Sequence, residues 1–223
     1  SIQLAICNKP GAPGVDEYNS KDQALVKVVA AYVVALFGAG VTLALVDYNP
    51  LLDILIADVV ATLVIFLFSV AYRNCSFYDA YWSVVPPLIA LYWLSLDLSQ
   101  ASALRELLLL GLILYWATRL TLNWAYHWEG LHHEDWRYIG LRERSSLPDF
   151  VVNFFGVHFF PTLQVFLAML PVYAVYCLGE RGFNWLDVVA ALVTAGAITL
   201  QMLADFQLHG FIRNRKEGEH LDS

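Results

Sequence analysis

The residues with most chemistry to offer stand inside apolar stretches, where a charged group persists only with a partner or a ligand. Arg119, in YWATRLTLNW, lies in an apolar run from about Leu104 to Tyr126. Counted from Leu107 at ~1.5 Å per residue, it is about 18 Å into that run. A guanidinium at such depth is expensive unless it faces a cavity or a partner, which makes it a candidate functional group by default. Trp116, Arg119, Asn123 and Tyr126 recur at three- and four-residue steps, and this spacing predicts one polar-aromatic stripe turned toward the bundle interior. Gln201, Asp205, His209 and Arg213 recur every four residues in the last apolar run. The C-terminal helix dipole accounts for Arg213 but opposes Asp205. A carboxylate, an imidazole and a guanidinium at that helix mouth suit a polar ligand with hydroxyls and phosphates.

Two loops carry further candidates. In the turn RNCSFYDAYW, residues 73–82, Asp79 reads equally as a helix N-cap or, with Tyr78, Tyr81 and Trp82, as part of a substrate mouth. The 127–149 loop reads HWEGLHHEDWRYIGLRERSSLPD. Its Arg137, Arg142 and Arg144 can fork onto phosphate oxygens, with Glu134 and Asp135 orienting Arg137 or accepting ribose hydroxyls. The alternative is a wet amphipathic linker. Six histidines with a single adjacent pair are too few and too scattered for a membrane di-iron centre, so no metal is expected. Cys7, Cys75 and Cys177 lie far apart with no CxxC spacing and read as idle thiols. No Rossmann or Walker glycine pattern, no GxSxG and no HExxH occurs, so any nucleotide would be held by another device.

The elements that position these groups follow from composition. Of 223 residues, 59% are hydrophobic and 15% charged, with a mean hydropathy of +0.56. Soluble domains are about 45–50% apolar and about 25% charged. A small domain leaves much of its surface outside, so this composition excludes a soluble fold, and it equally excludes a disordered chain. A net charge of -7 argues against nucleic acid as a partner. The remaining fold class is an all-α polytopic membrane bundle.

Six runs are long enough to cross: Ala24–Val46, Leu51–Tyr72, Ala80–Leu98, Leu104–Tyr126, Phe150–Leu178, and one from Trp185 to beyond Asp205. The third holds Pro86-Pro87 and the fifth Pro161 and Pro171, which predicts kinks or unwinding. The organisation is a polar arm over 1–23, a transmembrane domain over 24–212 and a cytoplasmic tail over 213–223. With six crossings, only Arg105 and Arg181 of the 13 Lys and Arg residues fall on one side, leaving 11 on the other. The positive-inside rule makes the 11-residue side cytoplasmic and places both termini there. The host membrane would be the endoplasmic reticulum or the bacterial inner membrane.

The segments RNCSFYDAYW, YWATRLTLNW, HEDWRY and ADFQLHGFIR, in that order over about residues 70–220, resemble the steroid 5-alpha-reductase-like membrane family (3-oxo-5-alpha-steroid 4-dehydrogenase C-terminal-domain type). The resemblance implies a seven-helix membrane enzyme. Its members use NADPH to reduce a C=C bond conjugated to a ketone, in a 3-oxo-Δ4 steroid or another hydrophobic enone entering from the bilayer. On that likeness Arg119 and Asn123 reach the cofactor, Gln201 and Asp205 bind its adenosine part, and Arg213 serves its phosphates. Arg137 is added from the loop reading above. Trp116 stands where some members carry a substrate-orienting Tyr, and the proton donor stays open among Tyr78, Asp79 and Tyr81. The family continues into Gly-Leu-Trp and Arg-His-Pro-Asn-Tyr segments before a last helix. This sequence reads His220-Leu221-Asp222-Ser223 there, so the tail is read as truncated. A membrane methyltransferase of the isoprenylcysteine type, using S-adenosylmethionine, is the alternative, followed by a non-catalytic membrane protein. The pattern ADFQLHGFIR favours the reductase.

Overall fold

A computed structural model describes residues 21–214. The expected arm and the tail past 214 lie outside the described residues, as do the side chains of Ile212 and Arg213. The described residues are helical, without a strand: α1 (Lys21–Leu45), α2 (Pro50–Tyr72), a 3-10 turn (Cys75–Tyr78), α3 (Tyr81–Ser95), α4 (Ala103–His127), α5 (Trp136–Glu143), α6 (Asp149–Val152), a π-helical turn (Asn153–Phe159), α7 (Phe160–Ala168), α8 (Leu170–Leu178) and α9 (Trp185–Asn214).

Among the described residues, five helical stretches are long and apolar enough to cross a membrane: α1, α2, α4, Asp149–Ala168 and Trp185–Phe211. The expected third span differs. Its helix, α3, has 15 residues with Pro86 and Pro87 inside it, about 22 Å at ~1.5 Å per residue, against a hydrocarbon thickness of ~30 Å. It stops at Ser95, and Asp97 then takes a left-handed φ of 50°. The expected fifth span is interrupted twice, by the π-helical turn and by a break at Met169 ahead of Pro171.

The fold divides into two compact units. The first takes the described residues up to Trp82 together with Trp124–Val165; the second takes Ser83–Asn123 with those from Phe166 onward. In the first unit, α1 packs on α2 through small buried residues: Ala24, Ala31 and Ala35 on one, Ala57 and Ala61 on the other. Small side chains let backbones approach where lipid removes the ordinary hydrophobic drive. Asn49 caps α2 by accepting from the Leu52 amide at 3.0 Å, ahead of Pro50. Arg73, with φ 52°, ends it.

The 73–79 turn is stitched to the loop after α4. Asn74 donates to the Leu131 and His133 carbonyls at 2.7 and 3.1 Å, and the Cys75 amide donates to Glu134 at 2.8 Å. The loop, for which the sequence leaves a wet linker as one alternative, is docked through these bonds and carries α5. In the second unit, Arg105 clamps the start of α9. It donates to both carboxylate oxygens of Asp187 and to the Arg181 and Gly182 carbonyls, each at 2.7 Å.

Candidate functional site

Both units carry buried polar groups. In the second unit Arg119 pairs with Asp205. Arg119 Nη1 donates to Asp205 Oδ2 at 2.5 Å, with the two side chains 7% and 31% exposed. Arg119 comes from the middle of α4 and Asp205 from the last third of α9, one turn past Gln201. Arg119 Nε and Nη2 are buried with no hydrogen-bond partner among the described residues. A buried donor left unmade costs about 1–3 kcal/mol. The geometry is informative, because Nε and Nη2 form one edge of the planar guanidinium and present a two-donor fork. Such a fork matches a phosphate or carboxylate.

The other expected residues are distributed unevenly. Trp116 and Asn123 are half-buried, His209 is half-buried, and Gln201 is exposed. The side chain of Arg213 lies outside the described residues. Tyr126 departs from the expected inward stripe. It is 79% exposed, and its carbonyl, at the end of α4, accepts from Lys21 Nζ at 2.8 Å. Asn123 to Tyr126 is a three-residue step, and at 100° per residue this turns the last member off the buried face.

In the first unit, Tyr78 and Tyr81 enter one buried cluster and Asp79 another. Tyr81 Oη donates to Asp58 Oδ1 at 2.8 Å. Thr62 Oγ1 lies 3.4 Å from Tyr81 Oη and 2.9 Å from Thr162 Oγ1, and Tyr78 Oη lies 2.8 Å from Thr162 Oγ1. Asp58 is 4% exposed, and its Oδ2 has no partner among the described residues. Beside this cluster the His158 Nδ1–H donates to the Asn153 carbonyl, leaving Nε2 to accept from the Ser69 hydroxyl, both at 2.9 Å. The π-helical turn holds both Asn153 and His158, and such turns recur at functional sites.

Asp79 accepts from Tyr138 Oη at 2.7 Å. Burial pushes its carboxyl up to about 6, against the bonds from Tyr138 and Ser76, which pull it down. Burial, then the Asp79 charge, raises the Tyr138 phenol. The loop arginines are engaged locally. Arg137 is bidentate on Asp135, at 2.9 and 2.6 Å. Arg142 holds Glu134 at 2.5 Å and Asn153 at 3.1 Å. These two forks serve loop structure, and neither forms the open anion cradle expected of the loop.

With this geometry in view, residues 65–223 match the family described as "Protein of unknown function (DUF1295)". The chain belongs to that family. No curated protein and no solved structure matches it.

Within the family's matched segment lie Arg119, Asp205, Tyr78 and Tyr81; Asp58 and Thr62 precede it on α2. Reading the sequence missed Asp58, Thr62, His158 and Thr162. A signal existed: Asp58 is a carboxylate inside LLDILIADVVATLVIF, the same anomaly that marks Arg119 and Asp205. Asp58/Thr62 and His158/Thr162 are also four-residue polar pairs in apolar runs.

Proposed function

We propose that this protein is an NADPH-dependent reductase of a C=C bond conjugated to a ketone in a hydrophobic, steroid-like substrate. The observation that carries the reading is the open edge of Arg119: two buried N–H donors, on a guanidinium held by Asp205, without a partner among the described residues. That edge fits a phosphate oxyanion. Asp205 fixes the guanidinium plane and, being partly exposed, has capacity left to accept ribose hydroxyls. The 11-to-2 partition of basic residues supports a cytoplasmic polyanion. When bound, the cofactor supplies the hydride.

The chain's own part is to bind, orient, exclude water and deliver a proton. As hydride reaches the β-carbon, negative charge develops on the carbonyl oxygen, and a positioned hydrogen-bond donor stabilises it. Of the three donors left open by the sequence, the reading takes Tyr81 and Tyr78 over Asp79. Their cluster includes Asp58 Oδ2, a buried oxygen with no partner among the described residues, whereas the Asp79 carboxylate is engaged by Tyr138.

The test uses the full chain in lipid nanodiscs. Saturating NADPH should raise the melting temperature, by about 2.7 kcal/mol of stabilisation at a hundredfold excess over Kd, while S-adenosylmethionine should leave it unchanged. NADPH should be oxidised when a 3-oxo-Δ4 steroid is added. Stabilisation by S-adenosylmethionine alone would transfer the chain to the methyltransferase class, and no response to either would end both cofactor assignments.

A further inference from the structure

We propose that the cleft between the start of α4 and the end of α8 is a lipid site that selects a zwitterionic headgroup with a primary ammonium, the chemistry of phosphatidylethanolamine. The proposal stands on the second unit alone, to which every residue of the cleft belongs, and it does not depend on the reductase reading. The cleft has a volume of about 300 Å³, at the lower end of the ~300–1,000 Å³ of small-molecule sites. That suits a headgroup with the first carbons of its chains, the rest of the lipid staying outside.

Position is the first argument. Helix α4 begins at Ala103 and α9 at Trp185, and both are long and apolar enough to cross. Their first residues therefore stand at an edge of the hydrocarbon, and Trp185, 70% exposed, is a residue type enriched at that boundary. Arg105 ties the two starts together through Asp187 and the Arg181 and Gly182 carbonyls. The Gly179 carbonyl is held by the Gln100 amide and the Ser99 hydroxyl. The frame of the cleft is thus bonded before a ligand arrives, which lowers the ordering cost of binding.

The lining divides in two. Ala101, Ala174, Val175 and Leu178 supply an apolar wall, and Glu180 and Arg181 a charged rim. Arg105 also lines the cleft, but its charge is met by Asp187 at 2.7 Å. The side chains of Glu180 and Arg181 are exposed and enter no hydrogen bond or ion pair among the described residues. An exposed charge is ordinary by itself. Here opposite charges on consecutive residues, whose Cα atoms are about 3.8 Å apart, border one apolar-walled cleft. A phosphate oxyanion fits the Arg181 fork, and an ammonium two carbons away from it donates to Glu180. Phosphatidylglycerol offers only the anion, which Glu180 repels. The ammonium of phosphatidylcholine carries no N–H and cannot donate to Glu180.

The experiment is native mass spectrometry of the full chain in detergent micelles. Phosphatidylethanolamine, phosphatidylcholine and phosphatidylglycerol with the same acyl chains are offered singly and in competition. Phosphatidylethanolamine should bind more tightly than either by about fivefold, the upper range for one exposed ion pair. Glu180→Gln should erase the preference over phosphatidylcholine. Arg181→Gln, which keeps the backbone carbonyl that Arg105 uses, should weaken both lipids alike. Ala174→Phe, at an exposed position, fills the cleft and should weaken all three. These substitutions touch exposed side chains, so the variants should melt with the parent. Glycerophosphoethanolamine, the same headgroup without acyl chains, should not displace the lipid at equal concentration. Equal binding of the three lipids by the parent, or tighter binding of phosphatidylglycerol, would overturn the zwitterion site. So would a preference that survives Glu180→Gln or binding that survives Ala174→Phe. Displacement by glycerophosphoethanolamine would overturn a lipid as the occupant. The response to NADPH bears on the reductase reading alone.

Discussion

At the scale of single residues, the pairing of Arg119 with Asp205 is lopsided, and the lopsidedness is measurable. Arg119 is the deeply buried partner, and Asp205 retains some contact with its surroundings. Asp205→Ala strands a buried guanidinium, which should destabilise the protein by about 3 kcal/mol. Arg119→Leu removes the buried charge and leaves a carboxylate that can be hydrated, so its loss should be clearly smaller. Denaturant titration in nanodiscs compares them, and equal losses would mean the pair is held by its surroundings rather than by its own charges. Arg119→Leu should nevertheless weaken NADPH by about tenfold or more, about 1.4 kcal/mol. Asp79 gives a pH-dependent counterpart. Its folded-state carboxyl is raised by burial from 3.8 to about 6, so the folded protein prefers it protonated. That contribution is fully present below pH 3.8 and is lost as pH rises through about 6. Asp79→Asn keeps an acceptor for Tyr138 and never ionises. Its melting temperature relative to the parent should therefore rise between pH 4 and pH 8, and a flat difference would show that the carboxylate is compensated elsewhere.

At the scale of elements, the turn after α8 shows where one methyl matters. A Cβ added to Gly179 would stand 2.5 Å from the Val175 carbonyl oxygen and 3.0 Å from Ser99 Oγ. The first is backbone and cannot give way cheaply. The Gly179 carbonyl also receives the Gln100 amide at 2.7 Å and the Ser99 hydroxyl at 3.2 Å. Gly179→Ala should lower the melting temperature, whereas Gly182→Ala, which has nothing within 4 Å, should not. If both behave alike, the turn tolerates displacement. The same scale explains what the sequence made legible. Apolar runs predicted α1, α2, α4 and α9 to within a few residues, because length and hydropathy suffice for an uninterrupted helix. The prolines of the third and fifth runs signalled interruptions there; the third run's helix is too short to count among the candidate spans, while the fifth keeps a crossing-length stretch over Asp149–Ala168 and the π-helical register within it left no mark in composition. Arg119 and Asp205 were legible because a charge in hydrocarbon stands out in one dimension. Thr62, Thr162 and the two tyrosines were not, since uncharged hydroxyls are unremarkable singly and their meeting depends on how α2, the 75–78 turn and α7 pack.

At the scale of the whole molecule, the number of crossings turns on α3, and contacts made elsewhere constrain it. Its 15 residues are too few for a straight span of ordinary thickness. Yet the 73–79 turn before it is bonded to the loop after α4 through Asn74, Cys75 and Asp79. Those two segments must share one membrane face. Helix α4 runs unbroken from Ala103 to His127 and is long enough to cross. In a six-crossing chain, α3 would need the non-helical residues after Ser95 and local thinning of the bilayer to cover its missing length. Lys21 on the Tyr126 carbonyl places the start of α1 with the 127–149 loop, and Arg105 on the Gly182 carbonyl places the start of α9 with residues 96–102. Six crossings with the basic face inward stay an expectation from charge, beside the five helices long and apolar enough to cross among the described residues. Single cysteines at Arg73, Asp97 and His132, in a chain whose own cysteines are replaced, test this with a membrane-impermeant thiol reagent on intact cells. Asp97→Cys should be labelled from outside, and Arg73→Cys and His132→Cys only after permeabilisation. Arg73→Cys reacting together with Asp97→Cys would show that α3 enters and leaves by the same face.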